Sequence, residues 1–353
     1  MRTPRRAEAV RARRPRYQAD LAAGTARFFE PRRDTCPWCG SARLRQRLRT
    51  TDLLQHKPGE FVLDQCGDCA HIFQNPRLNP DGLEFYYRDF YDGLGEQFTD
   101  RVSTLNPTYR SRAKMVAAHA EPKNWLDVGT SHGHFPRAAR KVLPHTIFDG
   151  LDMSAGVELA QQRGRIDQGY RGHFTELASD LAERYDVVSM FHYLEHTPDP
   201  DRQLEAARQA LRPGGYLQIE VPDPECRYGQ LLGRWWIPWF QPQHLNFVPL
   251  GNLKRRLGEL GFTMVAEQRN GADVLVQPLG AALLALSEMA PRGDQPWFDA
   301  VPGRSRRLLR AGMLAAGVSV VLLGGMLDCG LRPVARQAGL THAYRVLARK
   351  DAL

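Results

Sequence analysis

The sequence predicts an α/β protein: an open, largely parallel sheet with helices on its faces, preceded by a small cysteine-rich module. Three observations carry that prediction. Trp125-Leu-Asp-Val128 is a short apolar run ending in a turn, which reads as a buried parallel strand. Gly129-Thr-Ser-His-Gly133 follows as a loop, and Pro136 suits the first turn of a helix, so strand, glycine loop and helix open a nucleotide-binding βα unit. Cys36-Pro-Trp-Cys39 and Cys66-Gly-Asp-Cys69 form two C-x2-C pairs well before that strand.

The 353 residues suffice for one domain of ordinary size plus appendages, and a hydrophobic share of 42% can fill a core. Net charge is +9, with Arg2, Arg5, Arg6, Arg11, Arg13, Arg14 and Arg16 all preceding any apolar periodicity. Residues 1–33 are therefore expected to form a disordered or loosely helical, solvated tail; contact with nucleic acid or an anionic membrane is the competing reading. No apolar core of a secretory signal follows these arginines, and close cysteine pairs suit a metal in a reducing compartment, so a cytoplasmic setting is expected.

Taken in order, residues 34–79 form the module. Each cysteine pair makes a knuckle, and four thiolates suit tetrahedral Zn²⁺ held by Cys36, Cys39, Cys66 and Cys69. A full ligand set leaves no open position, so the zinc is structural. A hairpin through Leu44–Leu63 joins the pairs, and His71 is a neighbour rather than a ligand. Residues 80–122 link module to sheet through lid helices or domain glue: Phe85-Tyr-Tyr87 and Phe90-Tyr91 suit either role, and Tyr109–Ala120 reads as a helix.

Residues 123–272 hold the sheet. The second strand, Ile147–Asp152, ends in an acid about twenty residues past the glycine loop, where a carboxylate can accept the ribose hydroxyls of an adenosine-containing ligand. Asp149 competes for that role, and helix capping is the structural alternative for Asp152. A third strand falls within Gly169–Leu177. Asp186–Met190 is a fourth, and Phe191–His196 lies at its carboxyl end, where open α/β sheets bind ligands. An amphipathic helix over Asp201–Leu211, stopped by Arg212-Pro-Gly-Gly215, leads to a fifth strand at Tyr216–Pro222. Trp235, Trp236, Trp239, Phe240, His244 and Phe247 suit an apolar pocket wall or a minicore over the sheet. Phe262 opens a sixth strand, and Ala343–Lys350, within 341–353, is the last. Between them, 273–340 is an apolar, helix-rich insertion. Ala311–Leu327 carries no charge and follows Arg304, Arg306, Arg307 and Arg310. As a helix it spans roughly 25 Å, short of a ~30 Å hydrocarbon core. Peripheral membrane contact through 304–327 is one reading; a buried helix or a homodimer contact is the other.

The motifs together resemble class I S-adenosylmethionine-dependent methyltransferases. Asp127-Val-Gly129-Thr-Ser-His-Gly133 is similar to their D-x-G-x-G-x-G, with Ser131 in place of the middle glycine. Asp152-Met-Ser154 is similar to their D-x-S; Leu194-Glu-His196 with Asp199-Pro200 resembles a bacterial L-E-H subgroup, and Leu211-Arg-Pro-Gly-Gly-Tyr-Leu217 is typical of the family. The cysteine module, with Cys69-Ala-His-Ile-Phe-Gln-Asn-Pro76, resembles the zinc-binding module preceding the methyltransferase domain in some bacterial enzymes, including sugar methyltransferases. The resemblance implies a Rossmann-like seven-stranded methyltransferase sheet with a zinc ribbon-like module and a helical insertion before the last strand. It implies S-adenosylmethionine held by Asp127, Gly129, Thr130, Ser131, Gly133, Asp152, Met153, Phe174, Phe191 and Glu195.

Methyl transfer from a sulfonium needs an in-line nucleophile, and for oxygen or nitrogen acceptors a base helps. Histidine titrates in the right range, and His196, His244 and His192 are the candidates. The expected activity is methyl transfer to a small-molecule or glycan-like acceptor, with a lipid-linked one included. The rivals are an RNA-modifying methyltransferase and a non-catalytic cofactor- or lipid-binding protein. The absence of an N-P-P-[YF] motif after the fourth strand argues against base methylation and a nucleic-acid partner. The sequence leaves the acceptor and the oligomeric state open.

Overall fold

A computed structural model describes residues 4–89, 107–269, 277–299, 301–337 and 342–352. Two sheets organise it. The larger has seven strands: β4 (Asn124–Val128), β5 (Ile147–Asp152), β6 (Gly169–Arg171), β7 (Tyr185–Phe191), β8 (Leu211–Pro222), β10 (Phe262–Gln268) and β11 (Ala343–Lys350). Their spatial order is β6-β5-β4-β7-β8-β11-β10. The first five run parallel, while β11 pairs antiparallel with both β8 and β10. β4 lies at the centre because both its faces are apolar. Leu126 and Val128 join the core on one side, and Trp125 packs with Phe135 and Phe148 on the other. This is the expected Rossmann-like sheet, and its strand order reverses direction between β4 and β7, placing a crevice at their carboxyl ends.

The smaller sheet belongs to the cysteine module. β1 (Leu44–Thr50), β2 (Phe61–Cys66) and β3 (Ile72–Gln74) pair antiparallel, and β9 (Asn246–Phe247) of the larger domain adds a fourth strand to β3. Trp236, Trp239 and Phe247 pack with Leu63 and Ile72 into a shared apolar cluster. Most of the aromatic segment is therefore a minicore joining the two sheets. Phe240, in left-handed backbone at φ 41°, turns its ring towards both His196 and His244.

The arginine-rich N-terminus differs from expectation. Of the two forms expected it takes the helical one, Pro4–Leu21, but docked rather than solvated, with Tyr17 buried against Phe85 and Trp297. Its charges are met by acids far away in sequence: Arg14 bonds Asp294 at 2.5 Å, and Arg16 bonds Glu84 at 2.9 Å. Composition of the segment alone could not reveal those partners. Phe85 and Tyr86 act as glue in the same cluster. Phe90-Tyr91 lie outside the described residues, as do 273–276 and 338–340 of the insertion. The insertion's described part comprises the helices Gln277–Met289, Arg304–Ala316 and Val318–Gln337.

Candidate active site

The glycine loop leaves β4 with three residues in left-handed backbone: Gly129 at φ 78°, Ser131 at φ 49° and Gly133 at φ 69°. Glycine adopts this region freely, whereas Ser131 does so at a steric cost of roughly 1 kcal/mol. The loop thus keeps the path of an all-glycine motif despite the serine. What holds Ser131 there is Asp152 at the end of β5: its Oδ2 accepts the Ser131 N–H at 2.9 Å, and Oδ1 accepts the Ser154 N–H at 2.8 Å. A Cβ on Gly129 would sit 2.7 Å from the Tyr193 ring, and one on Gly133 3.0 Å from Ala160 and Arg165. Both glycines are therefore required by close approach as well as by φ.

Asp127 is buried beneath the loop. Trp125 Nε1 donates to Ser189 Oγ at 2.8 Å, and that hydroxyl donates to Asp127 Oδ1 at 2.7 Å. Burial pushes the Asp127 carboxyl up to about 6, against the pull of Ser189. Thr130 is buried under β5, where its methyl would meet a Cβ on Gly150 at 2.6 Å. Met153 is exposed beyond Asp152. Phe191 ends β7 with its ring against Phe135, centroids 4.7 Å apart, and beneath the Arg112 guanidinium at 4.4 Å. Phe174 corrects an expectation: it is wholly buried in the main core, while His173 beside it is exposed.

A second half of the site gathers beside it. Leu194–His196 forms a single 3₁₀ turn after β7. His196 Nδ1 lies 2.7 Å from the Tyr87 hydroxyl and 3.1 Å from the Gln243 carbonyl, while that hydroxyl lies 3.3 Å from the same carbonyl. A carbonyl only accepts, so Nδ1 carries the proton and Nε2 keeps its lone pair. The ring of His244 stands edge-on to His196, centroids 4.5 Å apart, with its own Nδ1 donating to Pro238 O at 2.8 Å. Burial lowers the pKa of His196 and takes His244 well below the ordinary histidine value of 6.5. Both are neutral at pH 7.

His192 behaves oppositely, and this corrects its candidacy as a base. Its Nδ1 lies 3.0 Å from Glu195 Oε1 and its Nε2 3.3 Å from Glu220 Oε1. Burial alone would lower its pKa, but the two carboxylates outweigh burial and push it up to about 10. It is a held cation with no lone pair to offer. Glu220, wholly buried on β8, also receives Arg112 and Arg345, whose Nε donates at 2.6 Å. Burial would raise its pKa, yet the guanidiniums and His192 hold it well below the usual carboxylate range. Glu195 is buried too, and its Oε2 has no hydrogen-bond partner among the described residues. Glu195, His196 and His244 bring their donor atoms within 4.8 Å of one another.

Sequence reasoning missed Tyr87, Arg112, Glu220 and Arg345. Tyr87 stood inside a stretch already singled out as a lid or glue, but nothing in that stretch distinguished it from Tyr86. The other three lie on separate elements, and nothing local marks them.

The four module cysteines also come together. Cys36 and Cys69 sulfurs are 3.6 Å apart, Cys39 and Cys66 sulfurs 3.5 Å, and all four lie within 4.8 Å of one another. His71 stays out of the cluster and bonds Asn246 through Nε2 at 3.1 Å. Asn246 Nδ2 in turn donates to Thr197 O at 2.7 Å, next to His196.

The glycine loop, Asp152 and the turn bearing His196 follow the carboxyl ends of β4, β5 and β7 around the topological switch, with His244 packed against that turn, an arrangement that defines the class as a Rossmann-like ligand-binding fold. Comparison with known proteins takes this further. The family model described as a methyltransferase domain matches residues 103–267. Ubiquinone biosynthesis O-methyltransferase of Pseudomonas syringae pv. tomato is 30% identical over 173 residues, covering 46% of this chain and 71% of that protein. The enzyme of that name from Bordetella avium is 26% identical over 165 residues, covering 42% of this chain and 64% of that protein. Among solved structures, Burkholderia thailandensis 1,6-didemethyltoxoflavin-N1-methyltransferase is 17% identical with a TM-score of 0.44, covering 81% of this chain and 97% of that one. The chain belongs to the S-adenosylmethionine-dependent methyltransferases.

Proposed function

We propose that this methyltransferase moves a methyl group from S-adenosylmethionine to a hydroxyl of a small-molecule acceptor, with His196 as the base. The carrying observation is His196 itself. It is neutral at pH 7, its tautomer is fixed by Tyr87 and Gln243, and its free Nε2 sits at the end of β7 beside the glycine loop. The likeness to O-methyltransferases of ubiquinone biosynthesis supports oxygen as the acceptor atom.

The cofactor, when bound, supplies an electrophilic methyl on sulfonium. The residues fit it: the glycine positions leave room for close backbone approach, and Asp152 retains carboxylate lone pairs for a ribose. His196 Nε2 takes the acceptor's proton, and Glu195 Oε2 is free to accept a hydrogen bond from a second acceptor hydroxyl. His192, whose Nδ1 stands 3.0 Å from Glu195 Oε1, holds that carboxyl in place. His244 and Phe240 wall the base on one side, and Tyr87 holds its far nitrogen.

The module's cysteines suit a structural zinc. Sulfurs about 2.3 Å from one centre stand about 3.8 Å apart, close to the 3.5 and 3.6 Å separations found. Through β3, β9 and Asn246, that zinc would brace the turn bearing His196.

The test pairs binding with turnover. S-adenosylhomocysteine should bind by calorimetry to the native chain and to His196→Ala alike, and not to Asp152→Ala. Methylation of a catechol or phenol acceptor should fall by about a hundredfold to ten-thousandfold in His196→Ala. Equal turnover in native and His196→Ala would overturn the assignment of the base.

A further inference from the structure

Most of the exposed large hydrophobic side chains among the described residues belong to the helical insertion. Its inner side is fastened to the body. Gly280 abuts Ile237, Leu284 is buried, Ser287 bonds His56 at 3.0 Å, and Glu288 pairs with Arg234. The helix Val318–Gln337 lies against Gln277–Met289, with Gly324 packed on the backbone of Pro278 and Leu279. Buried Asp328 accepts the N–H groups of Gln277 and Leu279, each at 2.8 Å, and so caps the neighbouring helix. The hairpin is thereby held in one orientation.

Its outer side is the opposite. Leu308, Leu309, Val320, Leu322, Leu323 and Met326 are each more than half exposed, and no residue of Arg304–Ala316 is buried. Contiguous exposed apolar surface of this kind marks an interaction site. Three arginines gather where this face begins. Among the described residues, Arg304, Arg306 and Arg307 have no ion-pair partner, and the chain carries no further charge from Ala311 to Leu327. An apolar face flanked by free arginines matches a bilayer with anionic headgroups: the leucines enter the acyl boundary while the guanidiniums stay with the phosphates.

We propose that this face docks the enzyme on an anionic lipid bilayer, lying in the interface without spanning it. The helical stretch Arg304–Leu331 has 28 residues, long enough at about 1.5 Å per residue to cross. The connections forbid it. The insertion leaves from β10 and returns to β11, which are paired in one sheet, so a crossing needs a second crossing. Gln277–Met289, at 13 residues, reaches only about 20 Å, and its inner face is bolted to the body. A second copy of the chain is a poorer occupant. The only acids of the three helices, Glu288 and Asp328, are engaged, so it would bring arginines to arginines.

Docking here has a consequence for the acceptor, which, unlike the docking itself, rests on the methyl-transfer reading. The hairpin packs on Ile237–Trp239, the turn that precedes Phe240 and His244. The bilayer then adjoins the acceptor side of the site, and an acceptor with an apolar tail reaches it from the lipid.

The test is flotation of the full chain with vesicles of phosphatidylcholine containing about a third phosphatidylglycerol, against phosphatidylcholine alone. The native protein should float with the anionic vesicles and be released by carbonate at high pH. Arg304→Glu, Arg306→Glu and Arg307→Glu should each weaken partition by about fivefold or more. Leu322→Asp combined with Met326→Asp should abolish it, while S-adenosylhomocysteine binding stays unchanged. Failure of the native protein to float overturns the proposal whether or not it methylates anything. Resistance to carbonate overturns the in-plane arrangement. A dimer that the Leu322→Asp, Met326→Asp pair converts to monomer, with no vesicle binding, assigns the face to a second copy instead.

Discussion

The two halves of the active site are built from different materials. The cofactor half is mostly backbone: three alternate residues in left-handed conformation, N–H groups aimed at one carboxylate, and glycines whose missing side chains make the space. The acceptor half is side chains brought from five places: Tyr87, Arg112, the turn at Glu195-His196, Glu220 and Gln243-His244. The first is held by local geometry over about twenty-five residues. The second is held by buried charge and by the strand that the cysteine module shares with the larger domain. Damage to the second half should therefore leave cofactor binding intact, whereas damage to the first should not leave turnover intact.

Loss of the base, the largest effect expected, has been described above. The next largest concerns the buried ions. Glu220→Ala takes from Arg112 and Arg345 the carboxylate they share and leaves His192 with Glu195 alone. Removing one partner of a buried ion network costs about 3–5 kcal/mol, and a urea titration should show it as a shifted midpoint. Glu220→Gln, which keeps the shape, should also return His192 towards ordinary titration, visible by NMR of its ring protons. If Glu220→Ala is as stable as the native chain, the acceptor half is not held by charge.

pH separates the same groups by sign. Burial depresses His196 and His244 below their unfolded value of 6.5. The unfolded chain then binds more protons there, so their stabilisation is whole above pH 6.5 and is lost as pH falls beneath it. His192 is raised to about 10. Its stabilisation is whole below pH 6.5 and is lost as pH rises towards 10. Urea midpoints across this range should fall at both ends, and His192→Gln should remove the alkaline decline alone. The acid limb of kcat/KM, reporting His196, should lie below pH 6.5.

These differences also decide what could be read beforehand. The glycine loop, Asp152, the seven strands and the four cysteines are local patterns, and each is where its spacing placed it. The acceptor half was legible only through His196 and His244, whose neighbours in sequence carry motifs. Glu220 reads as a polar residue in strand alternation, and its partners Arg112 and Arg345 are 108 and 125 residues away. The charge state of His192 depends on that pairing, so sequence could name it a base but could not see that it is a cation. The docking of the N-terminal helix was hidden for the same reason: the acids that meet Arg14 and Arg16 belong to other elements.

Zinc removal sharpens the comparison further. Cys39→Ser combined with Cys66→Ser should release bound zinc, measurable by metal analysis. The link through β9 and Asn246 predicts a larger effect on turnover than on S-adenosylhomocysteine affinity. An equal fall in both would mean that the module supports the whole sheet rather than the histidine turn.

Gly129→Ala tests where the halves meet. It places a Cβ 2.7 Å from Tyr193, three residues before His196, in backbone at φ 78°. Cofactor affinity and turnover should fall together, and this is the one substitution in the loop expected to disturb the histidine turn.

Ser131→Gly is the smallest change and the sharpest. Serine at φ 49° carries strain that glycine does not. Relief of about 1 kcal/mol is opposed by the greater freedom of glycine in the unfolded chain, worth about 0.5–1 kcal/mol. Stability should therefore move by less than about 0.5 kcal/mol, and the Asp152 carboxylate, bound through the backbone N–H, should stay in place. Cofactor affinity is then expected to change by less than about threefold. A large gain in affinity would mean that the serine side chain obstructs the cradle, and a large loss that its hydroxyl contacts the cofactor. Either result would show that the loop itself, and not Asp152 alone, brings a side chain to the cofactor half.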